Sequence, residues 1–537
     1  MHAPRLFFAA ASALALFAPA GILAAPCPDC SIILVAIDTL RADHLGCYGY
    51  PKPTSPAMDA VADEGVVFDD FIVQAYLTPT SMASMLTSLP PSVNGCLSFT
   101  ASIDSGVAVL PEILQRHGYK TAAFPTSPEF YSMVLPDGRK SDPSVNPFRR
   151  GFDVFSPPRP GPAGTPARRR DLPGDEVLSW IKEHRDKKFF LWLPLGSAHW
   201  PYGETTPKSL RSRFTPKNYQ GVFRGKRLGW WYPLRMIYKD TLHPLPGAKH
   251  WPDQRLFRDG PVPLKAEDRE LILGRYDAGI AYTDGFIARL RRTLEKTGLK
   301  KRTLVIVLGV HGEDLGEHGY YTHYDVYNTE LKAPLILSGP GIPAGRRSAA
   351  PAAGLDIAPT VLAFAGIDPP SAMMGRSLLP AAAQTPAPVE ERAVFSERTP
   401  YWEWVLYQGR LESPPADLPA WQDIHMSDLN PAFSKGWDPR AADTSLNMGR
   451  WHLIHRRAPA LLREVSWWGF LTGTTPDVPE WELYDRTADP AETRNLADVE
   501  PAAAGLKERL IAFEAEMDRR RRRTSIPPRA RPIIPYP

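Results

Sequence analysis

The stretch SIILVAI, from Ser31 to Ile37, decides the fold, and Asp38 follows it directly. The run is apolar and rich in β-branched residues, which is typical of a strand buried on both faces of a sheet. Strands of this kind belong to parallel sheets that helices cover on both sides. The stretch therefore predicts an α/β domain in which Asp38 lies at the carboxyl end of a buried strand.

The same pattern recurs further along the chain. Buried strands are predicted at Phe189 to Leu195, Thr303 to Leu308 and Ala333 to Ser338. Helical patterns lie between the strands, at 109–117, 176–183 and 267–297. This alternation predicts a mostly parallel sheet sandwiched by helices. Because ligands bind at the carboxyl ends of such strands, we expect Asp38, His199 and His311 to meet at one edge of the sheet.

The length of 537 residues favours two domains, and 43% hydrophobic with 23% charged residues is a globular composition. We predict a large α/β domain over residues 31–380 and a smaller C-terminal α+β subdomain over 381–517. The smaller unit has aromatic strand-like segments, such as Tyr401 to Tyr407, and an amphipathic helix from Ala502 to Met517. A basic, proline-rich tail follows at 518–537. The net charge of +4 is too small to indicate a nucleic-acid partner.

Residues 1–25 have the composition of a secretory signal peptide. Arg5 gives a basic start, an apolar run extends from Leu6 to Phe17, and small residues precede Pro26. The run is too short for a membrane span, so we predict cleavage and export to the periplasm or the extracellular space. A buried N-terminal helix is the alternative. No later run approaches the ~18 apolar residues of a transmembrane helix, so none is expected in the mature chain.

Export permits disulfides, and all four cysteines lie in the first hundred residues. Three pairings are possible, and we favour Cys47 with Cys96 because both follow elements expected to end on the same rim of the sheet. The Cys27-Pro28-Asp29-Cys30 segment has the spacing of a redox or metal pair. Without a following strand-helix unit, a structural disulfide or a frayed terminus is the preferred interpretation.

The segment TPTSMASMLT, from Thr78 to Thr87, predicts a helix that begins beside a hydroxyl group. Thr78 is a good N-cap, and Pro79 suits the first helical position. A hydroxyl there feels the positive end of the helix dipole, which favours a bound sulfate or phosphate and stabilises an alkoxide. The alternative interpretation is that Thr78 caps the helix and does nothing else.

A series of motifs resembles, in order, the landmarks of the sulfatase family. They are Asp38-Thr39-Leu40-Arg41-Ala42-Asp43-His44-Leu45-Gly46, Ala83-Ser84-Met85-Leu86-Thr87, Gly151-Phe152-Asp153, the run from His311 to Gly319, Ala333-Pro334-Leu335-Ile336, Asp356-Ile357-Ala358-Pro359-Thr360, Gly375-Arg376-Ser377-Leu378 and Glu482-Leu483-Tyr484-Asp485. The match extends from residue ~31 to residue ~515, which is far more specific than one motif. The resemblance implies the alkaline phosphatase superfamily architecture, a metal at the strand ends and a nucleophile at a helix start.

The chain resembles a divergent member of the family that lacks the cysteine from which formylglycine is made. Thr78 stands at that position, and Met82 replaces the arginine of the Cys-x-Pro-Ser-Arg motif. The family's Lys-x-His falls at Thr126 and Pro128, so further cationic contacts to an anion are missing. A threonine lacks the second hydroxyl with which formylglycine hydrate expels sulfate. Phosphoryl or phosphonyl transfer therefore suits Thr78 better.

The resemblance also implies a metal site, formed here by Asp38, Thr78 and His311. Val310 stands where the family has a ligating carboxylate. Calcium prefers six or more oxygen ligands, whereas zinc accepts three protein ligands and one open position. We therefore expect one divalent metal, with zinc favoured over calcium. Asp284 is not expected to hold a second zinc, since Ala288 lies one turn later, and it is predicted to be a helix-surface or capping residue.

Two histidines complete the candidate site. His199 matches the family's substrate-binding histidine and is expected to donate to an ester oxygen or to protonate a leaving group. His323 matches a cationic residue that faces the sulfate. Without the resemblance, each would be interpreted as an ordinary loop histidine. His44 and His318 are expected to be peripheral.

The hypothesis that follows is a metal-dependent hydrolase of sulfate or phosphate/phosphonate esters, with Thr78 as nucleophile and a small-molecule or glycan ester as substrate. The alternative is a catalytically impaired sulfatase-like protein that binds an anionic glycan or a protein partner. It is motivated by the substitutions at Met82, Thr126, Pro128 and Val310. A membrane-embedded headgroup transferase is disfavoured because no transmembrane segments follow residue 25.

Overall fold

A computed structural model describes residues 26–97, 103–126, 146–157, 172–224, 237–238, 241–242, 262–383, 391–398, 443–457 and 478–523. The predicted signal peptide, Pro128, the predicted strand at Tyr401 to Tyr407 and the end of the basic tail lie outside these residues. The predicted domain limits, 31–380 and 381–517, stay predictions.

Eighteen strands are described. In chain order they are β1 (Ser31–Ile37), β2 (Gly65–Ile72), β3 (Lys120–Ala123), β4 (Val154–Phe155), β5 (Phe189–Leu195), β6 (Ile237–Tyr238), β7 (Thr241–Leu242), β8 (Val262–Pro263), β9 (Thr303–Gly309), β10 (Asp314–Leu315), β11 (Tyr321–Thr322), β12 (Lys332–Ser338), β13 (Arg346–Ser348), β14 (Ala352–Ala353), β15 (Val394–Arg398), β16 (Asp443–Met448), β17 (Trp451–His455) and β18 (Trp481–Asp485).

The α-helices of the described residues alternate with these strands over the first three hundred residues. They are α1 (Pro56–Asp63), α2 (Thr78–Thr87), α3 (Pro91–Asn94), α4 (Leu110–Arg116), α5 (Asp175–Glu183), α6 (Lys208–Arg211), α7 (Ala266–Lys296), α8 (Asn328–Leu331), α9 (Ile357–Phe364), α10 (Leu379–Ala383) and α11 (Ala502–Arg523). The strands and helices predicted from hydrophobic pattern within these residues are confirmed to within two residues, apart from the end of α11.

The large domain is built on a nine-stranded sheet with the order β13-β2-β12-β9-β1-β5-β3-β4, and β14 pairs with β2. β1 lies between β5 and β9 and is parallel to both. The exception is β12, which runs antiparallel to β2 and β9. The predicted mostly parallel sheet is confirmed, but the carboxyl end of β12 lies at the opposite edge from those of β1 and β9.

Alternation along β1 divides the core into two layers. Ile32, Leu34 and Ala36 pack on the face that α2 and α9 cover. Their neighbours Ile33 and Val35 pack on the face that α1, α5 and α7 cover. Burial of one such aliphatic side chain contributes about 1.5–3 kcal/mol, so the continuous apolar run fixes β1 at the centre. Asp38 is thereby carried to an edge that helices do not cover.

The C-terminal unit is an antiparallel sheet with the order β15-β16-β17-β18. Helix α11 packs Leu506 and Leu510 against leucines of this sheet. The helix extends six residues beyond the predicted end at Met517, to Arg523. Arg519 and Arg520 both pair with Glu516, one helical turn earlier, which supports this extension.

The disulfide of the described chain joins Cys27 and Cys30. Cys47 and Cys96 both remain thiols, so the predicted Cys47–Cys96 bond is wrong. The physical reason is that the two side chains pack on opposite faces of the sheet, Cys96 with the α2 layer and Cys47 with the α1 layer. Of the two preferred interpretations of the Cys27 to Cys30 segment, a disulfide or a frayed terminus, the disulfide is confirmed.

Within the described ranges, no helix combines the length and the apolar character needed to cross a bilayer.

Candidate active site at the carboxyl ends of β1 and β9

Asp38 is held at the end of β1 by a sharp backbone turn. Its amide donates to the Leu195 carbonyl at 2.8 Å, which continues the pairing of β1 with β5. Thr39 then adopts a left-handed conformation, with φ of 54°. The Tyr276 hydroxyl donates to the Thr39 carbonyl at 2.6 Å and supports this turn. The Asp38 carboxylate, 1% exposed, is thus fixed at the strand end.

Thr78 is the first residue of α2, and Leu77 is its N-cap. The prediction that Thr78 is the N-cap is therefore wrong by one position. The Thr78 hydroxyl contacts other side chains instead of capping the helix. It donates to Asp38 Oδ1 at 3.0 Å and lies 3.1 Å from His311 Nε2. The side chain is completely buried. The hydroxyl therefore belongs to the strand-end cluster as well as to the positive end of the helix.

His311 lies two residues after the end of β9. Its Nδ1 donates to the Gly312 carbonyl at 2.8 Å, so this nitrogen carries a hydrogen. Nε2 lies 3.2 Å from Asp38 Oδ1. Asp38 Oδ1, Thr78 Oγ1 and His311 Nε2 thus form a triangle in which two acceptors face each other and one hydroxyl proton is shared. A positive charge, either a proton on Nε2 or a metal ion, satisfies both acceptors.

The triangle offers one carboxylate oxygen, one hydroxyl oxygen and one imidazole nitrogen, 3.0, 3.1 and 3.2 Å apart. Such a mixed set would be accepted by a divalent ion that takes nitrogen ligands. Only one of the three ligands is a carboxylate, whereas calcium prefers several. Val310 is fully buried in the apolar core. Among the described residues, no group of three or more His, Cys, Asp or Glu side chains forms a metal cluster, so a site here depends on the threonine hydroxyl.

The two remaining predicted histidines join the same cluster. The His323 ring centroid lies 4.4 Å from that of His311 and 5.1 Å from that of His199. His199 Nδ1 donates to the Trp200 carbonyl at 2.5 Å, which fixes the orientation of its ring. Both side chains are buried. The structure therefore brings together all of the predicted site residues, although they lie as far apart in the chain as residues 38 and 323.

Glu313 was not predicted from the sequence as a site residue, yet it contacts this cluster. Its carboxylate is completely buried, and Oε2 lies 2.7 Å from His323 Nδ1. The other oxygen accepts the Tyr202 hydroxyl. Burial raises the pKa of Glu313 to about 8. The available signal was its place two residues after a strand-end histidine, inside a motif that was treated only as a landmark.

Uncharged residues occupy two positions at which the resemblance places cationic side chains. Met82 is completely buried in the apolar layer of α2. Thr126 is also buried, and its hydroxyl accepts the Gly196 amide at 3.0 Å. An anion at Thr78 therefore receives no positive charge from these two side chains.

Other polar candidates lie in contacts of their own. His44 binds Asp277 at 2.8 Å, and His318 binds Asp314. Their expected peripheral place stays a prediction. Asp284 accepts the backbone amides of Ala57 and Met58 at the start of α1. The predicted capping role of Asp284 is confirmed, and the helix-surface alternative is wrong because the side chain is buried.

Comparison with known proteins agrees with this architecture. A model of the sulfatase family matches residues 31–367. An N-acetylglucosamine-6-O-sulfatase of Bacteroides thetaiotaomicron is 25% identical over 526 residues, which cover 87% of this chain and 82% of that protein. A sulfatase of Formosa agariphila is 24% identical over 375 residues, 63% of this chain and 69% of that protein.

Two solved structures share the fold. A phosphonate monoester hydrolase of Agrobacterium radiobacter superposes with a TM-score of 0.62 and 19% identity, covering 91% of this chain and 96% of that one. A protein in complex with its substrate D-glucosamine-2-N,6-O-disulfate superposes with a TM-score of 0.61 and 19% identity, covering 94% of this chain and all of that one. The family match and the shared fold together show that this chain belongs to the sulfatase family of the alkaline phosphatase superfamily.

Proposed function

We propose that this protein is a metal-dependent hydrolase of sulfate or phosphate/phosphonate esters, in which Thr78 is the nucleophile. The observation that carries the proposal is the position of the Thr78 hydroxyl, 3.0 Å from Asp38 and 3.1 Å from His311. A nucleophilic hydroxyl needs an adjacent proton acceptor. The Asp38 carboxylate is one, since it has a second oxygen even if Oδ1 and His311 Nε2 hold a metal. The family relatives and the phosphonate hydrolase fold neighbour support ester hydrolysis.

The start of α2 supports the attack step. When Thr78 loses its proton to a neighbouring acceptor, the alkoxide lies at the positive end of the helix dipole. The same end favours the sulfuryl or phosphoryl oxygens of a substrate. His199 and His323 lie beside His311 and are our candidates for donating a proton to the leaving oxygen. Their burial limits competition from water.

Asp38, Thr78 and His311 are the residues that would hold a divalent metal, with zinc favoured over calcium. Such an ion supplies positive charge that lowers the pKa of a bound hydroxyl and polarises a substrate oxygen. Without a second hydroxyl, an esterified Thr78 must be released by water that enters from outside. Attack of water on phosphorus is the easier route, so phosphate or phosphonate esters are preferred over sulfates.

The proposed substrate is a small-molecule or glycan ester, met outside the cytoplasm after removal of the predicted signal peptide. The glycan part of this proposal is supported by the glucosamine disulfate bound to one fold neighbour. We propose that the Trp- and Arg-rich region from Trp200 to Trp251 forms the substrate wall. Residues 225–236, 239–240 and 243–251 of it lie outside the described residues.

A second candidate function is binding without turnover, to an anionic glycan or a protein partner. The observation in its favour is that Met82 and Val310 are fully buried in apolar core, where the resemblance places an arginine and a carboxylate. A site with fewer charges stabilises a charged transition state less well.

Metal content and turnover of the purified protein distinguish the two candidates. We expect near one zinc per chain by mass spectrometry, lost in Asp38→Ala, together with metal-dependent hydrolysis of an aryl phosphate, phosphonate or sulfate ester. If the wild type binds neither zinc nor calcium and hydrolyses none of these esters, the binding candidate replaces the hydrolase.

A further inference from the structure

Glu313 and Glu330 are two buried glutamates of the segment between β9 and β12, and their hydrogen-bond partners differ in one respect. Each carboxylate is completely buried, and each accepts a tyrosine hydroxyl, Tyr202 for Glu313 and Tyr320 for Glu330. The second oxygen of Glu330 accepts the Asp325 backbone amide at 2.8 Å. The second oxygen of Glu313 instead lies 2.7 Å from His323 Nδ1. Only Glu313 of this pair therefore contacts the histidine cluster.

The contact decides which nitrogen of His323 faces the glutamate. When a carboxylate accepts a hydrogen bond from Nδ1, that nitrogen carries a hydrogen and the ring cannot rotate without losing the bond. Nε2 then lies on the far side of the ring. Because the His323 ring centroid lies 4.4 Å from that of His311 and 5.1 Å from that of His199, a fixed ring has a defined relation to both.

The Tyr202 hydroxyl determines which oxygen of Glu313 is left for His323. It donates to Glu313 Oε1, so that oxygen must remain an acceptor. A carboxylate satisfies this requirement and still offers its second oxygen to His323. An amide has two orientations there. With its oxygen toward Tyr202, its NH2 group meets the hydrogen on His323 Nδ1. With its oxygen toward His323, the Tyr202 hydroxyl must accept from the NH2 group, and its own hydrogen loses the acceptor it has among the described contacts. We expect the first orientation, because it keeps the buried hydroxyl hydrogen bonded.

We propose that Glu313 is a positioning residue, which fixes the ring orientation and the Nδ1–H tautomer of His323, and that Tyr202 holds Glu313 in the orientation this requires. The inference rests on the proposed function only for its effect on turnover. The tautomer of His323 is a property of the protein that can be read without any substrate.

The test compares Glu313→Gln with the matched control Glu330→Gln in the full chain. Nitrogen-15 NMR of histidine-labelled protein reports the tautomer, and the His323→Gln spectrum assigns the signal. At pH 9, where Glu313 is ionised, we expect the Nδ1–H tautomer in the wild type and in Glu330→Gln, and the Nε2–H tautomer in Glu313→Gln. Adding Tyr202→Phe to Glu313→Gln releases the amide to turn its oxygen toward His323, so the double variant should recover the Nδ1–H form.

Turnover gives the second reading. We expect kcat of Glu313→Gln to fall about 10–100-fold with KM little changed, as for other groups that orient a site residue, and partial recovery in the double variant. The kcat of Glu330→Gln should stay within about twofold of the wild-type value, although both variants should change Tm by similar amounts. An Nε2–H wild type, an unchanged tautomer in Glu313→Gln or equal losses of kcat in both variants overturns the proposal. If the wild type turns over no ester, the proposed function fails and the tautomer alone decides the role of Glu313.

Discussion

Two regions of this protein bury carboxylates in opposite ways. In the first, which we call the seam, two buried arginines pair with three carboxylates where the C-terminal sheet meets the large domain. The seam comprises Asp325, Arg398, Asp443, Arg456 and Glu482. In the second, the strand-end site, the carboxylates face hydroxyl groups and histidines. The site comprises Asp38, Thr78, His199, His311, Glu313 and His323.

The electrostatic consequences differ accordingly. Although burial opposes it, Arg456 and Arg398 hold the pKa of Asp325 below its ordinary value. At Asp443 burial outweighs the same two arginines and raises the pKa. Glu313 has no arginine on its carboxylate among the described contacts, and burial raises its pKa to about 8. The seam therefore contains two arginines that offset part of its negative charge, and the described contacts of the site carboxylates include no arginine side chain. A buried site whose carboxylates have no arginine partner among these contacts is suited to binding an ion or a substrate. The seam, with its ion pairs, is suited to holding two units together.

Removing an arginine from the seam should have the largest effect on stability. Arg456 Nε lies 2.7 Å from Glu482, and the guanidinium also pairs with Asp443 and Asp325. Arg456→Met leaves buried carboxylates without a partner, so we expect the free energy of unfolding to fall by about 3–5 kcal/mol in urea titrations.

The control is Arg347→Met, which removes an exposed ion pair with Asp69. We expect that change to cost about 1 kcal/mol or less. Equal losses in the two variants would show that the seam is no more dependent on its arginines than the surface is.

Removing the site hydroxyl should instead spare stability and abolish chemistry. Thr78→Ala deletes the proposed nucleophile, and we expect kcat/KM for an activating aryl ester to fall more than ~100-fold, about 2.7 kcal/mol. Thr87→Ala is the matched control, since it deletes a buried hydroxyl from the last residue of the same helix. Activity that survives in Thr78→Ala contradicts the proposed nucleophile.

The difference between the two regions also explains what the sequence could predict. Asp38, His199 and His311 follow apolar strands, and the pattern of a parallel sheet places strand ends together. Glu313 and Tyr202 are 111 residues apart, and no local pattern joins them. The seam arginines lie in the C-terminal subdomain, whose sequence has few regular hydrophobic patterns. Cys47 and Cys96 were paired wrongly because spacing does not reveal the face of the sheet on which a side chain packs.

Asp284 offers a third case, a buried carboxylate that backbone amides hold instead of arginines. Burial raises its pKa to about 6 from an ordinary value of 3.8, although the amides of Ala57 and Met58 oppose the shift. Because the folded pKa is the higher one, the stability contributed by protonated Asp284 is fully present below pH 3.8 and is lost as pH rises through about 6.

Asp284→Asn keeps a capping oxygen and does not ionise. We expect its free energy of unfolding, relative to the wild type, to improve between pH 4 and pH 7 by on the order of 2 kcal/mol. Urea titrations of both proteins at the two pH values measure this, and effects of other titrating groups cancel in the comparison. A difference that does not change with pH would mean that Asp284 ionises as easily in the folded chain as in the unfolded one.

The smallest expected effect tests whether one more carboxylate at the site binds a metal ion more tightly. Val310 is fully buried beside His311, where the resemblance places a ligating carboxylate. Val310→Asp should tighten zinc binding about tenfold and increase the rise in Tm that zinc produces, while lowering Tm without metal. Val310→Asn is the control of equal size, and a neutral amide is a weaker ligand for zinc. If both variants bind zinc as the wild type does, residue 310 does not face the ion. The ligand set would then end with Asp38, Thr78 and His311.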